Sequence, residues 1–420
     1  MTTSRSALSA AVSIALAGFA SAAGAGGFAI GTQSGSGTGN AFAGGAAAAD
    51  DASVAWFNPA AMTALPSGKQ AAVAGHLVRP SFKFQNSGST GAFAAAGSGE
   101  GGDGGDWAVI PNTFFTMDLG SGWRAGVAVN APFGLATEYD AGWRGRLTGI
   151  KSEILAVNLN PSVAYKVSDT ISVGAGVSAQ YLEAELSSFS GAAALGNVKL
   201  KADDIGYGFN LGMLVQATPS TRFGVSYRSS IKFDLDGDAT FSGPAGAPFQ
   251  GGVRADLRVP ETLSFSVFHK MGVWELMADA TRTGWDRVQQ LVVIRTAASA
   301  GGAAGSTFTT LPFEWKDTWR FSVGANYKVS DVLKVRAGLA YDETPTKDAT
   351  RTPRLPDEDR VWVAAGVQYR VSKAGVVEAG YAHEFLRDAN INTAVGASRL
   401  IGKFNNKADI FSLQYSHSFH

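Results

Sequence analysis

Residues 205–216 read Ile-Gly-Tyr-Gly-Phe-Asn-Leu-Gly-Met-Leu-Val-Gln. One face (Ile205, Tyr207, Phe209, Leu211, Met213, Val215) is wholly apolar; the other (Gly206, Gly208, Asn210, Gly212, Leu214, Gln216) is small or polar. Period-two alternation places successive side chains on opposite sides of an extended strand. It returns in residues 319–329, where Trp319, Phe321, Val323, Ala325 and Tyr327 oppose Arg320, Ser322, Gly324, Asn326 and Lys328, and again in 332–342 and 361–371. Soluble sandwiches and lipocalins also alternate. Three features favour a membrane barrel. The apolar faces hold no charge, as expected where a lipid-facing Arg or Lys costs about 2–4 kcal/mol at the midplane. The opposite faces are too small and polar for a dry core. Tyr and Trp recur near strand ends (Tyr165, Tyr227, Trp319, Tyr327, Tyr369, Tyr415), where aromatic girdles sit.

Working outward, tight turns recur at Leu119-Gly120-Ser121-Gly122, Val167-Ser168-Asp169-Thr170, Thr218-Pro219-Ser220-Thr221, Lys270-Met271-Gly272, Val329-Ser330-Asp331 and Val371-Ser372-Lys373-Ala374. Between each pair lies a longer polar or Gly-rich connection. Short turns on one rim and long loops on the other are the rhythm of an outer-membrane barrel. Segments fall at 69–85, 107–119, 122–139, 151–167, 170–187, 198–217, 221–239, 251–270, 273–297, 308–329, 332–342, 359–371, 375–390 and 404–419. The even count predicts an all-β, 14-stranded antiparallel transmembrane barrel with both ends on the periplasmic side. The stretch 286–310 is ambiguous between strand and loop. The last segment alternates to Phe419, as a barrel assembly signal does, but His420 follows it.

The bulk composition agrees. The 420 residues carry 35 basic and 35 acidic side chains, and 52 are Gly. A balanced charge gives no basic footprint for nucleic acid. No Cys is present, which removes disulfides and thiol chemistry. Residues 1–25 read as a signal peptide: Arg5, then an apolar run from Ala7 to Ala20, then small residues around Ser21-Ala22-Ala23. That run is shorter than the ~20 residues a membrane helix needs. Export with insertion as a barrel is the expectation.

Residues 26–66 lack alternation and read as a compact helical hatch, or plug, preceding the barrel at 67–420. Ala41–Ala49 and Pro59–Ala64 are each expected as a short helix, with Asn58 as cap and Pro59 in first position. Gly35-Ser36-Gly37-Thr38-Gly39 lacks the Lys and the preceding strand of a phosphate loop.

Chemistry-bearing residues are sparse. The five His (76, 269, 383, 417, 420) lack metal-ligand spacing, and no Gly-x-Ser-x-Gly elbow occurs. No catalytic residue, metal site or cofactor is expected. An outer-membrane enzyme or a structural barrel are the rival readings. Inward Arg222, Arg228, Arg320, Arg336, Arg360 and Arg370 alternate with acids such as Glu275, Asp279, Asp342 and Glu378, either as a lumen salt-bridge ladder or with some of them guiding an anionic ligand. Two strands are interrupted: the third at Asn130-Ala131-Pro132-Phe133-Gly134, the fourth at Asn160-Pro161. Pro cannot donate to a ladder and Gly marks bulges, so the first break is either an ordinary bulge or a side opening.

The runs Gly27-Phe28-Ala29-Ile30, Gly37-Thr38-Gly39-Asn40-Ala41-Phe42, Phe57-Asn58-Pro59-Ala60, Ala131-Pro132-Phe133-Gly134-Leu135, Asn158-Leu159-Asn160-Pro161, Trp315-Lys316-Asp317-Thr318-Trp319 and Leu355-Pro356-Asp357 carry a resemblance. Together they resemble the FadL/TodX family, outer-membrane transporters of long-chain fatty acids and aromatic hydrocarbons. The resemblance implies a hatch-plugged barrel, passive uptake of a fatty acid or hydrocarbon, and outer-membrane lipid, lipopolysaccharide and the barrel assembly machinery as partners. Hydrophobic ligand would settle on outer loops such as 191–197 and enter a pocket lined by Phe and Leu. The resemblance assigns binding and gating to Phe28, Ile30, Asn58, Pro59, Ala60, Pro132, Phe133 and Gly134. It also places carboxylate-holding basic residues at positions that align with Ser188 and Leu311. Neither is basic here, which strengthens an uncharged hydrocarbon as the alternative unless Lys199, Lys201 or Lys316 compensates; long-chain fatty acid remains the first expectation.

Overall fold

The computed structural model describes residues 26–95 and 99–419; the expected leader, 1–25, lies outside the described residues, as does His420. Twenty segments pair as one antiparallel sheet, and because six strands are each interrupted once, they form fourteen staves. β1 is Lys69–Asn86, β2 Ala108–Gly120, and β3 the two pieces Trp123–Asn130 and Gly134–Glu138. β4 is Lys151–Lys166, β5 Ile171–Phe189 and β6 Asn197–Thr218. β7 joins Thr221–Arg228 to Ile231–Phe241, β8 Gly251–Val259 to Thr262–Met271, and β9 Trp274–Thr283 to Gln290–Arg295. β10 joins Thr307–Pro312 to Thr318–Lys328; β11 is Leu333–Asp342 and β12 Arg360–Arg370. β13 joins Gly375–Leu386 to Ala389–Val395, and β14 is Ser398–Phe419. β1 pairs with β14 from Lys69 opposite Phe419 to Asn86 opposite Gly402, which closes the barrel.

Alternation sets the two surfaces. On β6, Tyr207 is 73% exposed while Asn210 is fully buried. Val177, Phe209, Leu211, Val323 and Leu413 extend the exposed apolar belt around the barrel. A belt of that extent belongs in lipid. The β2–β3 turn is short because Gly120, Ser121 and Gly122 all take left-handed φ values.

The structure moves two boundaries. β9 runs to Arg295 and β10 starts at Thr307, which resolves the ambiguous stretch. β14 begins at Ser398, not 404, and the last outer connection is a tight hairpin turn at Gly396, where φ is 58°. Ile391, Leu400 and Phe404 bury inward there, so the strands continue instead of yielding to a loop.

Residues from Gly26 to Leu65 fill the lumen. Gly35–Thr38 forms one helical turn, with the Ser34 hydroxyl accepting from the Gly37 amide. Pro59–Ala64 is a 3-10 helix, with Asn58 as its cap. The helix expected at Ala41–Ala49 does not form. Ala41, Phe42 and Gly44 have φ of 52°, 56° and 72°, and the Phe42 amide turns back to the Gly37 carbonyl at 2.7 Å. This bent segment presses on the wall: a Cβ on Gly224 of β7 would stand 1.9 Å from the Ala46 carbonyl oxygen.

The wall grips the plug from many sides. Asn112 on β2 donates to the Gln33 carbonyl (3.0 Å), Arg124 on β3 to Leu65 (3.0 Å), and Arg320 on β10 to Ala41 (2.8 Å). Gln414 on β14 accepts from the Gly35 amide at 2.8 Å. The Asn58 amide donates to the carbonyls of Ala46 (2.7 Å) and Met213 (3.0 Å), and its oxygen accepts from Ala60 at 3.0 Å.

Candidate ligand pocket and the interruption in β3

The wall has one ladder that stops early. β2 pairs with β3 only from Thr113 opposite Val129 down to the turn. Its outer residues, 108–112, pair with β1 alone. The outer piece of β3, Gly134–Glu138, pairs with β4 from Gly134 opposite Leu155 to Glu138 opposite Lys151. A fixed proline φ and a missing N–H at Pro132 divert the chain where that ladder ends. The fourth-strand break behaves differently. β4 stays paired to β3 through Asn160 and Pro161, and the Asn160 amide donates to the Val177 carbonyl at 2.7 Å. That site loses two ladder partners on the β5 side without a shift of register, and it leaves no opening.

The plug occupies the β2–β3 interruption. Ala29 bridges antiparallel to Phe133. The Ile30 amide donates to the Pro132 carbonyl, and the Gly134 amide to the Phe28 carbonyl, both at 2.9 Å. Gln33 extends the seal: its amide donates to the Ala131 carbonyl at 2.9 Å and its oxygen accepts from Asn130 at 2.6 Å. The start of the segment is held by carboxylates, with the Gly26 amide on Asp342 (3.2 Å) and the Gly27 amide on Asp357 (2.8 Å).

Two cavities meet at this segment. An outer pocket of about 60 Å3 is walled by Leu135, Ile154, Leu235, Leu257, Leu291 and Leu311, with Phe28 at its base. An inner chamber of about 200 Å3 has a mixed lining, with apolar groups such as Trp56, Phe57 and Ile231 beside Asn158, Gln180, Ser226 and Arg228, and reaches Pro132 and Phe133. Phe28 is 3% exposed, and its ring centre lies 5.7 Å from Phe133, 5.0 Å from Trp285 and 5.6 Å from Trp315. It is the hub of an aromatic cluster at the edge of the outer pocket. The outer pocket is smaller than the ~300 Å3 typical of ligand sites.

The expected salt-bridge ladder is real but partial. Arg336 spans Asp50 (2.7 Å) and Glu378 (2.6 Å), Arg360 pairs with Glu384 (2.9 Å), and Lys334 pairs with Glu275 (2.8 Å). Burial works against ionisation of Asp50, but Lys334, Arg336 and Arg222 outweigh it and hold this carboxyl well below the usual range. Arg222 and Arg228 leave the ladder: they lie over the rings of Phe268 (4.4 Å) and Trp56 (3.4 Å). Arg370 is exposed beside a turn. His383 sits on the lipid side of β13, its Nδ1 2.7 Å from Asp409.

Of the residues singled out from sequence, Phe28, Ile30, Pro132, Phe133 and Gly134 come together at the interruption. Asn58, Pro59 and Ala60 do not. They anchor the plug against β5 and β6, where a Cβ on Gly174 would meet the Ala60 nitrogen at 2.5 Å. Leu311 lines the outer pocket, whereas Ser188 does not. Lys199, Lys201 and Lys316 are exposed and line neither cavity, with Lys201 paired to Glu183 at 2.9 Å. The basic side chains at the outer pocket are instead Arg351 and Arg354, on the connection between β11 and β12. No spacing in the sequence marks them, because that connection meets the pocket only after the barrel closes. Trp285, likewise unmarked, sits in a short 3-10 turn interrupting β9.

Known proteins share this architecture. The long-chain fatty acid transport protein of Escherichia coli O6:H1 is 26% identical over 97% of this chain and 98% of its own length. The 47 kDa outer membrane protein of Pasteurella multocida is 30% identical over 88% of this chain and 89% of its own. The crystal structure of a Pseudomonas aeruginosa FadL homologue superposes with a TM-score of 0.85 at 26% identity, covering 94% of this chain and all of that one. Residues 16–419 match the family of outer membrane protein transport proteins described as OMPP1/FadL/TodX. A closed fourteen-stave wall, a lumen-filling plug and a match over nearly the whole chain make this protein an outer-membrane member of the FadL/TodX transport family.

Proposed function

We propose that this protein takes up long-chain fatty acids passively, by pocket binding, rearrangement of the plug, and sideways exit at the β3 interruption. The observation that carries the reading is the double role of Phe28–Ile30. These residues separate the two cavities and also fill the break in the wall. One displacement would therefore join pocket to chamber and chamber to membrane. A hydrophobic cargo gains from such a route, since each Å2 of apolar surface kept from water is worth about 25 cal/mol.

Phe28, Ile30, Pro132, Phe133 and Gly134 act as binding and gating residues in this reading, while Asn58, Pro59 and Ala60 hold the plug's base. The name of the Escherichia coli relative supports fatty acid as cargo. The same path serves aromatic or aliphatic hydrocarbons, a second reading favoured by Leu311, an apolar side chain in the pocket wall where the resemblance calls for a basic one. Outer-membrane phospholipid and lipopolysaccharide surround the belt, and the barrel assembly machinery inserts the chain.

The test compares uptake of oleate and toluene by cells carrying wild type, a 26–60 deletion, or Gly134→Trp. The Gly134→Trp variant is expected to lose uptake of the transported compound while still folding as a heat-modifiable barrel. Unchanged uptake would sink the sideways route.

A further inference from the structure

The outer pocket is apolar except at one edge, where the connection between β11 and β12 brings in Thr346, Thr350 and Thr352 and two guanidinium groups. Their situations differ. Arg351 is committed: its side chain is 1% exposed, it pairs with Asp348 and with Glu358 (2.7 Å), and it donates to the carbonyls of Asp357 (2.9 Å) and Asn390 (2.7 Å). Arg354 has only neutral partners: its Nη1 donates to the Ser152 hydroxyl at 3.0 Å and to the Lys151 carbonyl at 3.3 Å. Among the described residues Arg354 makes no salt bridge, and its buried Nε has no partner.

The charge is also held in place. The Arg354 carbonyl accepts from Thr137 at 3.0 Å, and the neighbouring Pro353 carbonyl accepts from Tyr139 at 2.9 Å. Both donors belong to, or directly follow, the outer piece of β3. The Arg354 stem lies over Gly149, where a Cβ would sit 3.1 Å from its Cγ. Burial without an anion alongside pushes the guanidinium down to about 10, which leaves it charged at neutral pH. A half-buried cation with spare donors at the edge of an apolar pocket is an incomplete site, because charges buried in proteins are normally paired. A planar guanidinium suits a carboxylate, which it can hold with two parallel bonds.

We propose that Arg354 is the carboxylate anchor of the outer pocket and makes the protein discriminate fatty acids from uncharged hydrocarbons of similar length. This inference rests on the reading of the outer pocket as the ligand site. The carboxylate would take the guanidinium donors left unpaired by Lys151 and Ser152. The acyl chain would lie along Leu135, Leu257 and Leu311 towards Phe28.

The experiment measures binding of oleate and of oleyl alcohol to the purified full-length barrel, using wild type, Arg354→Met and Arg354→Lys. Equilibrium binding of the radiolabelled ligands reports occupancy. Loss of a charge-assisted contact should weaken oleate binding by ~10-fold or more in Arg354→Met, with oleyl alcohol unchanged and Arg354→Lys intermediate. Undiminished oleate binding by Arg354→Met overturns the inference and leaves the pocket reading standing. Equal loss of both ligands also overturns it, since Arg354 would then serve only the pocket's shape. If wild type binds neither ligand, the pocket reading itself falls, and the anchor with it.

Discussion

A reversible cross-link between the plug and β3 would separate a moving seal from a fixed one. Ala29 and Phe133 face each other across an antiparallel bridge, and the two flanking bonds, Ile30 to Pro132 and Gly134 to Phe28, lie outside the pair. That is the close, non-hydrogen-bonded geometry, with Cα atoms about 4.5 Å apart. Disulfides span about 4.4–6.8 Å between Cα atoms, so Ala29→Cys with Phe133→Cys should oxidise without distorting the backbone. The chain has no Cys of its own, which makes the background clean.

Two backbone bonds, each worth about 0.5–1.5 kcal/mol net, and three aromatic contacts of Phe28, each worth about 0.5–1.5 kcal/mol, hold the segment. With the bonds of Gly26, Gly27 and Gln33 left in place, displacing Phe28–Ile30 alone costs about 5 kcal/mol at middle values, a population of roughly one molecule in several thousand. A ligand burying about 200 Å2 of apolar surface supplies about 5 kcal/mol, enough to compete. A covalent bond removes that competition. Oleate uptake by whole cells should fall to the background of cells lacking the protein when the pair is oxidised, and return on adding a reductant. The Phe133→Cys single variant controls for the lost ring. Full uptake with the cross-link verified by mass spectrometry would refute a mobile seal.

Asn58→Ala removes a fully buried side chain that caps one helix and donates to two carbonyls. It should lower the plug's resistance to local unfolding by about 2–4 kcal/mol, read as faster hydrogen exchange across residues 44–65 with the barrel's own exchange unchanged. Asp50→Asn should weaken the hold of Arg336 on the plug by about 2 kcal/mol by the same assay, the bond to Glu378 remaining. Because the folded-state pKa of Asp50 lies below its unfolded value, its contribution is complete above the ordinary carboxylate range and disappears only as pH falls through that range and below. The opening free energy across residues 44–56, taken from exchange corrected for the intrinsic pH dependence of amide exchange, should therefore be constant between about pH 5 and 8, and fall in acid in wild type by more than in Asp50→Asn.

The local signals were enough for the wall. A lipid-facing strand must be apolar at every second position, and that demand is written residue by residue in stretches such as 205–216. Turn residues such as Gly120 and Gly122 mark where strands reverse, so strand count and termini followed from the chain itself. The interruption at Pro132 was equally legible, since a residue without an N–H cannot continue a ladder.

Contacts between segments distant in sequence were beyond the sequence. Nothing in Phe28-Ala29-Ile30 says that it pairs with Pro132–Gly134, about a hundred residues away, or that it divides two cavities. Local composition misled at Ala41–Ala49, because helix propensity is weaker than the packing that bends the plug against β7. Arg354 lies in a connection whose sequence looks ordinary. Only closure of the barrel sets it beside Leu311 and Leu257 and leaves its charge without an acid. Period and turn chemistry are short-range properties and so fix the wall from sequence alone, whereas the seal and the pocket are long-range contacts that exist only once the chain has closed on itself.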